Sequence, residues 1–287
     1  MTVGDGSEGR DWDVAVVGAG IAGLTAAVTV RRHGLRVVAF DQLAPGGQLI
    51  NIGEVTDYPG LPEETSGPDL AGALLEAAMT AGVEIRYGEV TGLAAGSPAT
   101  LETGEGPQTA GAVVVATGLA PGRLAVPGAG EWAGRGLSEC ASCDGPLFAG
   151  QRVVVVGDDE WAAQEAIELA AFAAHVTVLV PGAPRWSSTR AERLAGNVEV
   201  RTDAPVTGLA GEAALTGVVL ADGAEVEATG VFAATGRTPR SALLPGGQDG
   251  PGVFAAGDVR TGSPPYLVAA AADGLRAALA ATTFLSS

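Results

Sequence analysis

The two cysteines of the chain stand two residues apart, and an acidic residue follows the second one directly. Cys140, Cys143 and Asp144 lie in the stretch CASCDG. Two thiols at this spacing can close a disulfide or bind a metal, and the thiolate is the reactive form in both cases. A carboxyl group beside the pair can hold or donate the proton that thiol–disulfide exchange needs. The stretch therefore predicts redox chemistry, with metal binding and a structural disulfide as the alternatives.

Metal binding is the weaker of these alternatives. A structural zinc site normally takes four protein ligands, and the chain offers only His33 and His175 besides the cysteines. Both histidines lie inside other segments, where we expect them to end helices, because a helix C-terminus favours a cationic ring. We therefore expect no metal site.

Charge and composition limit the possible partners. The 287 residues include 16 basic and 33 acidic ones, for a net charge of −17. So acidic a chain repels phosphate backbones, which argues against a nucleic-acid partner. The polar, acidic N-terminus lacks the basic start and apolar run of a signal peptide, and no uninterrupted apolar run approaches a membrane span. We expect a soluble, cytoplasmic protein without a membrane partner, in which a lone CxxC is catalytic more often than structural.

The elements around the cysteines begin with a glycine turn between a strand and a helix. An apolar strand at 13–17 precedes the turn, a second strand ends at Asp41, and the turn itself holds Gly18, Gly20 and Gly23. Such glycines let the backbone approach a pyrophosphate, and the helix N-terminus favours its negative charge. An acid ending the second strand is expected to bind a ribose hydroxyl. The pattern predicts a dinucleotide site.

A second strand–turn–helix–strand unit follows at 151–180, and its glycine turn is altered. Gly157 is retained, but Asp159 occupies the second glycine position and Ala162 the third. A carboxylate about 4 Å from a phosphate is repelled by about 4 kcal/mol at an effective dielectric constant of 20, which is half the free energy of micromolar binding. Asp158 and Glu160 flank this turn. We therefore expect that it does not bind a dinucleotide.

The region after the second strand of this unit gives the same indication. An NADPH site holds the 2′-phosphate with arginines just past that strand, whereas Val180, Pro181 and Gly182 stand there. Three later arginines are expected to form a solvated helix face or, as the alternative, a small basic patch: Arg185, Arg190 and Arg193.

The whole pattern predicts an α/β protein with two Rossmann-like nucleotide-binding domains. Between the two units, 43–69 is rich in Gly and Pro and is predicted to be loop, 70–82 to be helix and 110–118 to be a strand ending at Gly118. A short strand and a closing helix follow the second unit.

At this point the motifs resemble a known family, the low-molecular-weight thioredoxin reductases of bacteria. Six stretches carry the resemblance in this order: GAGIAG, APGGQL, DYPGLPE, VVVATG, CASCDG and GVFAAGDV. The resemblance implies an FAD-binding domain that is split in sequence, with an NADPH-type domain inserted into it. It places 1–118 plus 237–287 in the FAD-binding domain and 119–236, with the CxxC, in the insert. It also implies a homodimer.

The resemblance further implies site residues. Cys143 would face the flavin and exchange electrons with it, Cys140 would exchange with an external disulfide, and Asp144 would be the acid or base. Residues implied to bind FAD or lie beside it are Gly18, Gly20, Gly23, Asp41, Gly47, Gln48, Asn51, Gly118, Gly257, Asp258 and Tyr266.

The chain also departs from the family pattern. NADPH-dependent members carry an intact second glycine turn and a His-Arg-Arg run after the next strand, and both are missing here. Pro265 and Tyr266 stand where the family usually has Arg-Gln, so Tyr266 is either a flavin neighbour or an ordinary packed tyrosine. The resemblance to the fold is thus closer than the resemblance to NADPH chemistry.

Four functions remain open on the sequence. The first is a disulfide reductase that acts on a thioredoxin-like protein and is fed by reduced ferredoxin or another donor, although an acidic ferredoxin suits a chain of this charge poorly. The second is an oxygen-dependent oxidase that closes disulfides in a small-molecule dithiol. The third is a divergent NADPH-dependent thioredoxin reductase, and the fourth is a flavoprotein that serves as a binding module.

Overall fold

The computed structural model describes residues 9–55, 58–194 and 196–287. Within these ranges the α-helices are α1 Ile21–Arg32, α2 Gly67–Ala81, α3 Ala141–Asp144, α4 Glu160–Leu169, α5 Ser188–Arg193 and α6 Leu267–Leu285. Single 3₁₀ turns lie at Gly47–Asn51, Ala129–Trp132, Gly145–Phe148, Ser241–Leu243, Pro245–Gly247 and Gly257–Val259.

The strands of the described residues are β1 Trp12–Val17, β2 Val37–Asp41, β3 Glu84–Tyr87, β4 Val90–Ala94, β5 Ala99–Thr103, β6 Gly106–Val115, β7 Leu119–Pro121, β8 Leu137–Ser138, β9 Arg152–Val156, β10 His175–Leu179, β11 Val198–Arg201, β12 Val206–Gly211, β13 Leu215–Leu220, β14 Glu225–Glu227, β15 Gly230–Ala233, β16 Arg237–Pro239 and β17 Val253–Ala255. The chain folds into two compact units. Unit 1 comprises Met1–Leu119 and Pro239–Ser287, and unit 2 comprises Ala120–Thr238.

Unit 1 is built on one mixed sheet with the order β3-β2-β1-β6-β5-β4, and β17 lies beside the far end of β6. β1, β2, β3, β6 and β17 pair in parallel, whereas β4 and β5 join as antiparallel strands. Val14–Val17 of β1 and the last six residues of β6 are buried, and they are nearly continuous apolar runs of Ala and Val rather than alternating ones. The core is therefore made of small aliphatic side chains.

Unit 2 repeats the parallel pattern in a five-stranded sheet with the order β11-β10-β9-β15-β8. A separate antiparallel sheet, β12-β13-β14, covers part of it. The arrangement confirms the α/β class with two Rossmann-like units. A further two-stranded sheet pairs β7 with β16, the two segments by which the chain passes between the units.

The stretch 43–69 is more regular than its composition predicted. Gly47–Asn51 forms a 3₁₀ turn, and α2 begins at Gly67 rather than at residue 70. The earlier start has a local cause, because Ser66 and Asp69 form a capping box and Pro68 stands in the first turn.

The expectation for the two histidines is only half right. His33 follows the last residue of α1, as expected, but His175 begins β10. After α4 ends at Leu169, the side-chain amide of Asn197 donates to the carbonyl oxygens of Ala170 and Ala173, at 3.2 and 2.8 Å. Those bonds satisfy the carbonyls of the turn that leads from α4 into β10.

One helix of the described residues is long and apolar enough to cross a membrane by length and composition, with a mean hydropathy of 1.3. This is α6, and it holds Asp273 and Arg276 in its middle. Ala270, Ala277 and Ala281 of α6 lie in the core cluster of unit 1. We therefore describe α6 as a core helix of unit 1. The expectation of a missing leader falls largely on residues 1–8, outside the described residues.

Candidate active site

The two cysteines form a disulfide in unit 2. Their Cα atoms are 5.4 Å apart, and Cys140 is the N-cap of the short helix α3. The backbone N–H of Cys143 lies 3.2 Å from Cys140 Sγ, and the Ser142 hydroxyl lies 3.3 Å from the same sulfur. Cys143 is exposed and Cys140 is half-buried. Cys140 Sγ is therefore surrounded by polar groups that stabilise a thiolate after reduction.

Asp144 is tied to the same turn by a residue that the sequence did not point to. Ser138 Oγ donates to Asp144 Oδ2 at 2.6 Å and accepts the backbone N–H of Cys140 at 3.1 Å. The backbone N–H of Asp144 also donates to the carbonyl oxygen of Cys140, at 3.1 Å. Ser138 thus links the predicted acid to the first cysteine, and a serine two residues before a CxxC is too common to have indicated this.

A second missed residue lies beneath the turn. Glu165 of α4 is only 2% exposed, and its Oε2 accepts the backbone N–H of Ala141 at 2.6 Å. Burial raises the pKa of Glu165 to about 8, with a further contribution from Glu168, while the Ala141 N–H and Arg237 oppose the rise. The signal in the sequence was an acid on the buried face of a predicted helix.

The first glycine turn of unit 1 is open at the helix N-terminus. Gly18 has φ +100°, and a Cβ there would lie 2.3 Å from the carbonyl oxygen of Ala116, so this glycine is required by packing. Gly20 is the N-cap of α1 and provides no side-chain cap, and the first turn of α1 holds no acid. A Cβ on Gly20 would meet only Gly47 Cα, at 3.8 Å. The first turn of α1 thus presents backbone N–H groups and carries no acidic residue of its own.

Asp41 lies beside this turn at the end of β2, where the sequence placed it. Its Oδ2 accepts the N–H of Ala19 at 2.8 Å, and its Oδ1 accepts the N–H of Leu43 at 3.1 Å. These bonds fix the carboxylate against the turn, and its remaining lone pairs can accept from a ribose hydroxyl.

Several other predicted cofactor residues gather around the start of α1. The backbone N–H of Gly46 donates to the carbonyl oxygen of Ala19 at 2.8 Å. This bond brings Gly47 close to Gly20, so that a Cβ on Gly47 would lie 3.0 Å from Gly20 Cα. Gln48 and Asn51 continue the same 3₁₀ turn as Gly47. A Cβ on Gly257 would lie 2.8 Å from Ala22 Cβ, so the turn that holds Gly257 and Asp258 also packs on α1.

Two predicted residues follow or precede other elements of unit 1, and Gly118 comes directly after Thr117, whose Cα would lie 3.2 Å from a Cβ on Gly18. Gly118 follows β6 with φ +66°, and Tyr266 stands at the N-terminus of α6 with 59% of its surface exposed. Taken together, the uncapped helix start, the absence of acids from its first turn and the oriented carboxylate fit the pyrophosphate and ribose of a dinucleotide such as FAD.

The second glycine turn, in unit 2, has a similarly extended N-cap but lacks the positive φ of Gly18 and is closed. A Cβ on Gly157 would lie 2.1 Å from the carbonyl oxygen of Ala234, so this glycine too is required by packing. Asp159 is the N-cap of α4, and its Oδ1 accepts the N–H groups of Trp161 and Ala162 at 3.0 and 3.1 Å. A carboxylate of the chain itself occupies the amides that a pyrophosphate would need.

The arginines of this region are engaged as well. Arg185 makes two hydrogen bonds to the carboxylate of Asp158, at 2.7 and 2.9 Å. Arg190 pairs with Glu160 at 3.5 Å and bonds to Gln164. Arg185 is exposed and lies before α5, and both arginines pair with acids of the altered turn.

Comparison with known proteins identifies the family. The model of the pyridine nucleotide-disulphide oxidoreductase family matches residues 12–274. The thioredoxin reductase of Treponema pallidum (strain Nichols) is 34% identical, over 96% of this chain and 98% of that protein. The crystal structure of Lactococcus lactis thioredoxin reductase in the FR conformation has a TM-score of 0.90 at 29% identity, covering 96% of this chain and 99% of that one.

A relative with another donor in its name is also similar. The ferredoxin-flavin thioredoxin reductase of Clostridium acetobutylicum is 25% identical with a TM-score of 0.52, over 96% of this chain and 97% of that one. Matches of this extent, to one family and along nearly the whole chain, show that the protein belongs to the pyridine nucleotide-disulphide oxidoreductases, as a thioredoxin-reductase-like, FAD-dependent disulfide oxidoreductase.

Proposed function

We propose that this enzyme transfers electrons between FAD and the Cys140–Cys143 disulfide, and that its electron donor is not NADPH. The observation that carries the second part is the carboxylate of Asp159 on the N–H groups of Trp161 and Ala162. A pyrophosphate would have to displace it and would then lie among three acids, Asp158, Asp159 and Glu160.

The energetics support this reading. One carboxylate about 4 Å from a phosphate costs about 4 kcal/mol at an effective dielectric constant of 20. The attraction that would offset this cost is reduced, because the nearby Arg185 and Arg190 already pair with Asp158 and Glu160. We infer that NADPH binding here is too weak to support turnover.

The proposed cofactor site is the open turn of unit 1, so we assign FAD binding to unit 1 and the CxxC to unit 2. When bound, FAD supplies two-electron redox chemistry. Gly18, Gly20 and Gly23 would form the turn around its pyrophosphate, and Asp41 would hold a ribose. The remaining residues that we propose to line the cofactor are Gly47, Gln48, Asn51, Gly118, Gly257, Asp258 and Tyr266.

The proposed catalytic residues are those of the CASCDG turn. Cys140, as a thiolate, attacks one sulfur of an external disulfide, and Cys143 then attacks Cys140 and releases the second thiol of the substrate. Asp144, whose Oδ2 accepts the Ser138 hydroxyl, is the proposed acid or base that exchanges a proton with the departing thiolate. The pair returns to the disulfide, having delivered two electrons and two protons.

For partners we propose a thioredoxin-like protein on the thiol side and reduced ferredoxin on the donor side. The name of the Clostridium relative supports a ferredoxin donor, and those of the thioredoxin reductase relatives support the thiol partner. The net charge of −17 means that an acidic ferredoxin would need a local basic patch to dock. We further propose that the enzyme is a homodimer of the cytoplasm.

Anaerobic titration of the purified flavoprotein tests this proposal. We expect no flavin bleaching by NADPH or NADH, and bleaching by dithiothreitol and by reduced ferredoxin. Rapid bleaching by NADPH would overturn the donor assignment. Bleaching by dithiothreitol, followed by fast reoxidation in air and no response to ferredoxin, would instead identify a dithiol oxidase. In Cys143→Ser, we expect FAD to remain bound and dithiothreitol to lose its effect.

A further inference from the structure

The CASCDG turn rests on one buried carboxyl group that none of the roles above uses. Glu165 extends from α4, the helix that begins at the closed turn, to the backbone N–H of Ala141 at 2.6 Å. Ala141 is the residue directly after Cys140, and it is fully buried. The contact therefore reaches the backbone between the two reacting sulfurs.

The rest of the turn is fitted to the same helix. Ala141 and the Gly145 that follows Asp144 are both buried. A Cβ on Gly145 would lie 3.3 Å from Leu169 of α4, so the chain approaches that helix closely after the second cysteine. Ser138 holds the N–H of Cys140 at 3.1 Å from the other side. The backbone of the turn is thus held at successive amides, by Ser138 at Cys140 and by Glu165 at Ala141.

We propose that Glu165 is a positioning residue for the cysteine pair, and that its hydrogen bond to Ala141 holds the turn so that Cys140 and Cys143 close readily into the disulfide. The proposal deepens the function above and rests on it, since it assumes that this pair undergoes exchange. Two thiols held at one separation close at high effective concentration, and freeing the turn lowers that concentration.

The state of the carboxyl group is compatible with this role. Because burial raises the pKa of Glu165, the group holds a proton at neutral pH, and its carbonyl oxygen can still accept the N–H of Ala141. The charged side chains that act on it are Glu168, one turn further along α4, and Arg237. Glutamine in place of Glu165 would offer the same acceptor at the same reach.

The test measures the cysteine equilibrium directly in the FAD-loaded enzyme. The protein is equilibrated anaerobically with mixtures of reduced and oxidised dithiothreitol, quenched with acid, alkylated and analysed by mass spectrometry. In the exchange, the Cys140–Cys143 bond breaks and both sulfurs become thiols, while dithiothreitol loses two electrons and two protons and closes its ring. Flavin absorbance is recorded in the same samples.

We expect Glu165→Leu to shift the equilibrium toward the dithiol by about tenfold or more, equivalent to about 30 mV. We expect Glu165→Gln, which keeps the acceptor, to stay within about threefold of the wild type. The matched control is Glu168→Gln, because Glu168 is on the same helix but bonds to Gln164 rather than to the CxxC, and it should also stay within about threefold. Equal shifts in the Leu and Gln variants, or none in either, would overturn the proposal.

A second variant removes the donor of the hydrogen bond between Ala141 and Glu165. Ala141→Pro removes the donor N–H at the first position of α3, where proline is well accepted. We expect the same shift as in Glu165→Leu and no added shift in the double variant, and additive shifts would overturn the proposal. If the wild-type cysteines are reduced while the flavin is not bleached, the proposed function fails, but the effect of Glu165 is still measured.

Discussion

The two glycine turns of this protein each join a buried strand to a helix, and they differ in what occupies the helix N-terminus. In both, the first glycine is enforced by a carbonyl oxygen of the same sheet, 2.3 Å from a Cβ on Gly18 and 2.1 Å from one on Gly157. In both, the N-cap residue is extended, with φ −75° at Gly20 and −106° at Asp159. Gly20 has no side chain to bond the N–H groups of its helix, whereas the Asp159 carboxylate accepts the N–H groups of Trp161 and Ala162.

The comparison separates two roles that a glycine motif combines. The first glycine is needed for the sheet and helix to pack in both turns. The second position decides whether the helix N-terminus is available to an anion. A change of that one residue can therefore remove a cofactor while leaving the fold intact, and the predictions below test this separation from the largest expected effect to the smallest.

Transferring the closed turn to unit 1 is expected to have the largest effect. In Gly20→Asp the new carboxylate would cap α1 and repel the FAD pyrophosphate, which weakens FAD binding by about a thousandfold, or about 4 kcal/mol. The apoprotein should become more stable by a few tenths of a kcal/mol, because aspartate caps a helix better than glycine. Fluorescence titration of the apoprotein with FAD and thermal unfolding measure the two effects.

Gly20→Ala is the matched control for that variant. Its Cβ has room, with the nearest atom 3.8 Å away, and the extended backbone suits any residue. We expect a loss of FAD affinity well below that of Gly20→Asp. If the two variants lose affinity equally, close backbone approach rather than charge distinguishes the turns.

The helices that follow the two turns give the next prediction. At corresponding places α1 buries Ala26 and α4 buries Glu165. Because the folded-state pKa of Glu165 is raised to about 8 from 4.5, the folded state holds its proton more tightly, and stability falls as pH rises from about 4.5 to about 8. The effect is at most about 5 kcal/mol over that window.

In Glu165→Gln that pH-dependent loss of stability should be absent. The stability of the variant relative to the wild type should therefore increase as pH rises from 5 to 8.5. Thermal unfolding of both proteins across this range measures the difference. A constant difference between them would mean that Glu165 is ionised throughout, and that its environment is more polar than its burial indicates.

Opening the closed turn is expected to have the smallest effect. Asp159→Gly frees the N–H groups of Trp161 and Ala162, and it should lower stability by only a few tenths of a kcal/mol, against about 1 kcal/mol for Asp159→Ala. NADPH should still fail to bleach the flavin, since Asp158 and Glu160 remain and their arginine partners are engaged. Full NADPH activity in Asp159→Gly would show that this single cap controls donor choice.

The sequence predicted the local features and missed those that depend on packing. Both βαβ units, the glycine turns and the CxxC follow from short patterns, because each is set by neighbours in the chain. The repulsion at Asp159 was predictable, and the preference of aspartate for N-caps could have indicated that it also caps α4. The bonds from Glu165 to Ala141 and from Asn197 to the end of α4 span 24 or more residues, and nothing local specifies such pairs. His175 was misplaced for the same reason.

The pairing of β7 with β16 has a consequence for how such an enzyme changes over evolution. The chain leaves unit 1 after Leu119 and returns at Pro239. Just inside these points, the Arg240 N–H donates to the Gly118 carbonyl oxygen at 2.9 Å, and the Thr117 hydroxyl donates to the Arg240 carbonyl oxygen. Unit 2 is thus an insertion in the sequence of unit 1 whose two ends are held together by these bonds. It has a sheet of its own. Under the proposed function, substitutions such as those around Asp159 can therefore change unit 2 without altering the glycine turn of unit 1 that we propose for FAD.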